Sequence, residues 1–159
     1  MIVAPTTTVD VTIDGIATVP AVVAVVRTTS PVRTETDVID VRDDNGTVIR
    51  LTVAADGWRL RSGPVRLGPV GDPDGFRAVA FGFDPPTGDA FLHVDGDRER
   101  VDADAPPWSA PGRVVLGGDV GLEIRRLLLT SGRPVRPADA VRPADALLVL
   151  HDPPRTSLG

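Results

Sequence analysis

DGFRAVAFGFDPPTGDAFLHVDGDRERV, residues 74–101, is the stretch that decides the fold. Apolar residues recur at every second position along FRAVAFGF and AFLHV, a period typical of strands that bury one face. A proline-containing turn separates these two runs, and Asp95-Gly96 separates the second run from RERV. Aspartate and glycine tolerate the backbone of a tight turn. The stretch therefore predicts a series of antiparallel hairpins.

The same pattern continues towards the N-terminus. Asn45-Gly46 lies between DVIDVR and TVIRLTV, and Asp56-Gly57 follows the second of these runs. Each pair is a turn signal between segments rich in Val, Ile and Thr. Many short strands with turn residues between them predict an all-β fold, namely an antiparallel β-sandwich.

The C-terminal third contains the only helical signal. In RPADAVRPADAL, residues 136–147, each proline could begin a single turn, but the second proline prevents the first turn from growing. We therefore expect one short helical turn, followed by a last strand in LLVLHD that could lie beside the N-terminal strand. PPWSAPGR, residues 106–113, has the length of a loop that crosses between two sheets. No domain boundary is evident, so residues 1–159 are expected to form a single domain with an exposed tail.

Composition excludes several classes of function. The 159 residues contain no cysteine, which rules out disulfides, thiolate zinc sites and thiol nucleophiles. The net charge of −5 argues against binding to nucleic acid or to anionic membranes. No glycine-rich phosphate loop, signal peptide or transmembrane segment is recognisable, and we expect no cofactor. All 17 basic residues are arginine, and glutamine and tyrosine are absent, as in proteins from GC-rich genomes.

His93 and Asp95 form the most conspicuous polar pair. On a strand this spacing places both side chains on one face, where they could act as an acid and a base or supply half of a metal site. The alternative is structural, with Asp95 and Gly96 forming a hairpin turn. Because His151 is the only other histidine, a site with several histidine ligands is not indicated. The structural alternative is favoured, and no metal is expected.

The order of these pieces resembles a known family. Residues 74–142 are similar in pattern to the C-terminal half of laminin-G-like domains, which belong to the concanavalin A-like jelly-roll superfamily. Phe76 stands where the family has a tryptophan, and residues 93–96 match its Tyr-Val-Asp-Gly turn. Residues 116–118 match a strand that ends in paired glycines, and residues 137–140 match the start of a short helix. The loop ligands of the family's calcium sites have no match here.

The resemblance implies a jelly-roll domain that acts as a non-catalytic structural or binding module. His93 would take the place of a tyrosine on the sheet face. Sugar binding would need aromatic side chains, and the candidates are Trp58, Trp108 and His93. Trp58 could equally belong to the core, and Trp108 could be an exposed platform or a lid over the end of the sandwich. With no Tyr, no Gln and one Asn, the chain offers few further groups for a lectin.

ETDVID, residues 35–40, carries the alternative of an enzyme. Some glycosidases of the same superfamily use a Glu-x-Asp-x-x-Glu strand, in which one glutamate is the nucleophile and the other the general acid. Glu35 and Asp37 share a face of a regular strand, whereas Asp40 would need a bulge to join them and is shorter than glutamate. Charge on an exposed strand is the favoured interpretation.

Arg125 and Arg126 stand side by side in LEIRRLLLT. On a regular strand consecutive side chains point to opposite faces. The sequence therefore predicts that one of these arginines points into the sandwich or an interface and pairs with a carboxylate.

The sequence favours a non-catalytic structural or binding module. Laminin-G-like domains usually act outside cells, yet no secretion signal is recognisable, and a virion protein would reconcile these two facts. Minor tail proteins of phages from GC-rich bacteria are similar in kind. The expected partners are other virion or tail subunits, a host-surface glycan and, by analogy, further copies of the chain. A free lectin-like protein is the alternative, and a glycosidase relative is less favoured.

Overall fold

The structure is a computed structural model that describes residues 1–13, 19–84, 87–109, 112–130 and 148–151. Within these ranges the chain forms β-strands, turns and loops, and no helix long and apolar enough to cross a membrane occurs. The strands are β1 (Ile2–Val3), β2 (Val9–Ile13), β3 (Ala21–Thr28), β4 (Thr36–Asp43), β5 (Val48–Ala54), β6 (Gly57–Ser62), β7 (Val65–Val70), β8 (Arg77–Phe83), β9 (Ala90–Val94), β10 (Asp97–Val101), β11 (Gly112–Leu116), β12 (Leu122–Thr130) and β13 (Leu148–His151).

The strands form two antiparallel sheets. The seven-stranded sheet has the order β1-β12-β3-β8-β9-β10, and β13 also pairs with β12. The six-stranded sheet has the order β2-β11-β4-β5-β6-β7. The chain passes from one sheet to the other several times, for example between β10 and β11, and this exchange interleaves the sheets in the manner of a jelly roll.

The core lies between the two sheets. Cross-strand register aligns one apolar residue from every strand of the six-stranded sheet in a single row: Val9, Leu116, Ile39, Leu51, Leu60 and Leu67. The seven-stranded sheet supplies a facing row of Leu129, Val22, Phe81 and Leu92. Nearly all of these side chains are fully buried. Because residues that pair in register share a face, the alternating pattern of the sequence becomes one continuous core.

Two hairpins show how the turn residues act. In the β4–β5 turn, Gly46 has a φ of 89°, which a side chain would strain. In the β9–β10 turn, Asp95 itself takes the left-handed φ of 52°, and no positive φ is found at Gly96. Aspartate is one of the few residues with a side chain that tolerate this conformation.

The predicted all-β sandwich is confirmed, and the chain passes from one sheet to the other between β10 and β11, where the crossing loop was predicted at residues 106–113. The last strand is present, and β13 pairs with β12 along the same edge as β1. The strands β1 and β13 therefore both pair with β12 and are not hydrogen-bonded to each other as neighbouring strands. The predicted helical turn at residues 136–147 lies outside the described residues, as does the tail from residue 152 onwards.

Candidate functional site

A cleft of about 650 Å³ opens at one end of the sandwich. Three segments surround it: the β4–β5 turn at residues 46–48, the β6–β7 turn at residues 62–66, and the chain after β10 at residues 101–106. Phe83, the last residue of β8, also lines it. Because the first two segments belong to one sheet and the others to the second sheet, the cleft lies where the two layers part. Its volume is in the range of pockets that hold small ligands, about 300–1,000 Å³.

The lining of the cleft is largely apolar. Val48, Pro64, Val65 and Pro106 contribute aliphatic surface, and Val101 is one of the few large hydrophobic side chains that are exposed, at 40%. An exposed apolar side chain that lies in a concavity is available to a ligand. The cleft can therefore take up the apolar face of a small molecule.

Charged groups stand at the mouth of the cleft. Arg66, Asp102 and Asp104 are all lining residues. Among the residues that the structure describes, none of these three forms an ion pair, although most other arginines in these ranges do. Unpaired carboxylates and a guanidinium beside an apolar surface can accept hydrogen bonds from hydroxyl groups and donate to them. The arrangement suits a polyhydroxylated ligand.

Hydrogen bonds hold the walls of the cleft in place. The buried Asp43 carboxylate accepts from the backbone amides of Asn45, Thr47 and Ser109 at 2.8–2.9 Å. Burial acts to raise the pKa of Asp43, but these hydrogen bonds outweigh it and hold the pKa below its ordinary value. Thr47 also donates its hydroxyl to the carbonyl of Pro107 at 3.0 Å. The β4–β5 turn and the loop after β10 are thus fastened to each other.

His93 and Asp95 do not meet. His93 lies on the face of the seven-stranded sheet that points away from the core, 5% exposed, with its ring 5.3 Å from that of Phe91. Asp95 instead accepts from the amide of Ala78 and pairs with Arg77, each at 3.1 Å. Burial, together with the charges of two arginines on β10, lowers the pKa of His93. Its buried Nε2 has no hydrogen-bond partner in the part of the chain that the structure describes. The histidine is thus a neutral side chain within an apolar cluster.

The two tryptophans differ in exposure. Trp58 is fully buried, and its indole N–H donates to the carbonyl of Asp72 at 2.9 Å. This places Trp58 in the core, with no ring face open to solvent. Trp108 is half-buried and packs on the core from the loop after β10, and no described residue accepts a hydrogen bond from its buried indole nitrogen. It lies two residues beyond Pro106, which lines the cleft.

A bulge brings the ETDVID carboxylates to one face. The register between β4 and β5 shifts between Asp37 and Ile39, so the side chains of Asp37 and Asp40 both point to the outside of the six-stranded sheet. Asp40 is held by Arg42 at 2.7 Å and by Arg50 at 3.0 Å. None of these residues lines the cleft.

The neighbouring Glu35 is held in the same way. It accepts from Arg61 at 2.6 Å and from Thr52 at 2.7 Å. The Arg61 hydrogen bond lowers the pKa of Glu35, whereas partial burial and the Asp40 charge raise that of Asp37. A low and a raised carboxyl pKa side by side are what a hydrolase needs. Here, however, the arginines occupy the carboxylate oxygens on an open sheet surface.

The prediction that one of Arg125 and Arg126 points into the sandwich was wrong, because β12 also contains a bulge, whereas the alternative of an interface stays a prediction. Ile124 pairs with Val26 and Arg126 pairs with Val25, which leaves Arg125 as the extra residue. Ile124 points into the core, and both arginines lie on the outside of the sheet. Neither arginine forms an ion pair with any residue in the described ranges.

The cleft itself was not found from the sequence. Its signal was the run VDADAPP at residues 101–107, where two aspartates follow an exposed strand and precede a proline-rich loop. The partner turns lie about 40 and 55 residues earlier in the chain, and only the sandwich brings them together. In the described part of the chain no group of three or more metal-ligating side chains occurs.

Neither a protein-family model nor a curated protein sequence matches this chain. Solved structures do. The binding domain of botulinum neurotoxin serotype D superposes with a TM-score of 0.65 over 87% of this chain and 40% of that one, at 14% identity. A heptameric SAP-like pentraxin from Limulus polyphemus gives 0.56 over 89% and 76%, at 14% identity. The Ruminococcus gnavus sialidase CBM40, bound to alpha2,3 sialyllactose, gives 0.52 over 78% and 88%, at 13% identity.

These similarities concern the fold alone, and they describe the chain as a jelly-roll β-sandwich. This chain spans about two fifths of the length of the toxin binding domains that it matches.

Proposed function

We propose that the protein is a non-catalytic binding module that takes a carbohydrate into the cleft at the end of the sandwich. The observation that carries this proposal is a set of three charged side chains beside an apolar lining, Arg66, Asp102 and Asp104, which form no ion pair with any described residue. Paired charges would have to give up a partner before they could bind a ligand, whereas these can bind directly.

A sugar ring has both an apolar face and hydroxyl groups, which match the apolar lining and the charged side chains of the cleft. One face of many sugar rings consists of C–H groups, which can pack on Val48, Val65 and Val101. The hydroxyl groups at the ring edge can donate to the two aspartates and accept from the arginine. The cleft has room for about one or two sugar units by the usual size of ligand pockets.

Several structures of similar fold carry such ligands. One botulinum toxin binding domain was solved in complex with SialylT, and the Ruminococcus gnavus domain was solved with sialyllactose. Another toxin binding domain was solved with rat synaptotagmin II, so protein receptors are also bound by this fold. These structures support a binding role for the present chain, and the cleft favours sugar.

A glycan array that includes bacterial cell-wall polysaccharides tests the proposal. We expect a defined set of glycans to bind the parent protein, and Asp104→Asn or Arg66→Ala to weaken that binding about tenfold, since each removes a charge-assisted hydrogen bond. Asp10→Asn, an exposed carboxylate on β2, is the matched control and should bind as the parent does. The proposal would be overturned if the parent protein bound no glycan on the array.

A phage tail is the setting that we propose for this module. The arginine-only basic composition and the laminin-G-like order of elements support it, and the partners would be other tail subunits, further copies of the chain and a glycan of the host surface. Mass spectrometry of purified virions from a host that carries the gene should detect the protein in tails. Neighbouring genes for polysaccharide degradation, in place of tail-assembly genes, would argue against this setting.

The glycosidase alternative has one specific observation in its favour, the bulge that gathers Glu35, Asp37 and Asp40 on one face. We expect no hydrolysis of β-glucans by the parent protein, because arginines pair with all three carboxylates, at 2.6 Å for Glu35, 3.6 Å for Asp37 and 3.0 Å for Asp40. Hydrolysis that Glu35→Gln abolishes would instead establish the enzyme.

A further inference from the structure

The bulge in β12 creates a cationic surface far from the cleft. Arg125 and Arg126 follow Glu123 and Ile124, and the extra residue places both guanidinium groups on the outside of the seven-stranded sheet. Strand β8 runs from Arg77, which lies beside this surface, to Phe83 in the cleft, six residues further along the strand. At about 3.3 Å per residue the two places lie roughly 20 Å apart.

Only part of the positive charge here is neutralised. Arg27 lies opposite Glu123 in register and donates to one carboxylate oxygen at 3.0 and 2.6 Å, so this pair has no net charge. Arg125 and Arg126 have no carboxylate partner in the part of the chain described. The surface therefore carries a local charge of about +2 within a protein whose net charge is −5.

Phe76 positions one of the free guanidinium groups. The guanidinium carbon of Arg125 lies 3.7 Å from the centroid of the Phe76 ring, and that of Arg27 lies 4.8 Å from it. A cation stacked on a ring is held in orientation, yet its N–H groups remain free to donate in the plane. Among the described residues, the buried Nε of Arg126 also has no hydrogen-bond partner. Within the described ranges, therefore, neither guanidinium group donates to a carboxylate.

A small apolar floor adjoins the arginines. Arg126 pairs in register with Val25 on β3, and Val25 pairs with Ala78 on β8. Both floor residues are partly exposed and short. Neighbouring strands lie about 4.8 Å apart, so the floor is about as wide as one sugar ring.

We propose that this surface is a second binding site, which takes the carboxylate of an acidic sugar residue between Arg125 and Arg126, with the ring over Val25 and Ala78. The site goes beyond the cleft function and does not depend on it. Two adjacent guanidinium groups match the two oxygens of one carboxylate, and such hydrogen bonds are among the strongest on protein surfaces.

An acidic sugar fits better here than an acidic peptide. The strands that form the surface, β12, β3 and β8, are paired on both sides, so a peptide could not add to them as a further strand. The floor is flat and only two residues wide. A sugar ring that carries a carboxylate needs no free strand edge, and it is small enough to lie on this floor.

Binding to polygalacturonate, with neutral dextran as the reference, tests this site. We expect the parent protein to bind polygalacturonate and not dextran, and the affinity to fall as salt is raised. Arg125→Gln with Arg126→Gln should lower the affinity at least about tenfold. Arg98→Gln, which removes an exposed charge from β10, should bind within about twofold of the parent. Thermal melts should show that the double variant folds, because neither arginine makes an ion pair with a residue in the described ranges.

Three outcomes would overturn the proposal. The first is a double variant that binds polygalacturonate as the parent does, and the second is a parent that does not bind it. The third is binding of poly-L-glutamate as tight as that of polygalacturonate, which would indicate an acidic protein partner. The cleft is tested with the glycan array and the variants Asp104→Asn and Arg66→Ala, whereas this surface is tested with polygalacturonate and the arginine double variant. A failure of the cleft function on the glycan array is therefore distinguishable from a failure of this site.

Discussion

His93 illustrates how burial changes what a residue can do. The imidazole lies beside Phe91, with Arg98 as its register partner on β10, and no described residue accepts a hydrogen bond from its Nε2. Protonation would place a third positive charge near Arg98 and Arg100 in a site that excludes water. The side chain is therefore kept neutral, and its role is to pack.

The first prediction concerns the pH dependence of stability. The folded-state pKa of His93 is lowered, so below about pH 6.5 the unfolded chain binds more protons than the folded one, and stability falls as the pH drops. His93→Leu should remove this contribution, which is at most about 1.4 kcal/mol for each pH unit. Urea unfolding at pH 7 and pH 5 measures it. Equal losses in parent and variant would show that His93 is already charged in the folded state.

The second prediction compares a buried carboxylate with an exposed one. The Asp40 side chain is 4% exposed and receives hydrogen bonds from Arg42 and Arg50, whereas that of Asp10 is 37% exposed and pairs with Arg113. Asp40→Asn should cost about 2 kcal/mol of unfolding free energy, because it leaves two arginines poorly compensated. Asp10→Asn should cost less than about 1 kcal/mol. Urea denaturation of both variants gives the comparison, and equal costs would contradict it.

At the scale of the element, bulges decide where charged side chains point. The bulge in β4 places Asp37 and Asp40 on one face, and the bulge in β12 keeps Arg125 and Arg126 out of the core. The strands, their hairpins and the sandwich were all predictable, since each depends on local alternation and turn residues. Bulges were not, because a single extra residue leaves no mark in the local pattern and is fixed by pairing with a distant strand.

The third prediction concerns the β9–β10 hairpin. Asp95 carries the positive φ and accepts from the amide of Ala78, so Asp95→Val should destabilise the protein by about 1–2 kcal/mol. Gly96 lacks a positive φ, and nothing lies near the place where its Cβ would be, so Gly96→Ala should change stability by less than about 0.5 kcal/mol. Thermal unfolding of the two variants checks both values. If Gly96→Ala lowered the stability more than Asp95→Val does, the turn would depend on the glycine and not on Asp95.

At the scale of the whole molecule, the sandwich separates two kinds of surface. Apolar side chains fill the core, and most of the described arginines pair with carboxylates of the same chain. Among the described residues, charged side chains without an ion pair lie at the cleft and at the bulge of β12. The sequence predicted the sandwich and its likeness to laminin-G-like domains. It could not predict the cleft, because Arg66 and Asp102 come from different sheets and meet only through the fold.

Amide chemical shifts of the ¹⁵N-labelled protein, recorded while the strongest neutral glycan from the array is added, test the central proposal most directly. We expect saturable shifts confined to residues 46–48, 62–66 and 101–106, with few changes on the outer faces of either sheet. Saturable shifts clustered instead around Asp37 and Arg50, or spread along an edge strand with none at residues 101–106, would contradict a binding module that works through the end of the sandwich.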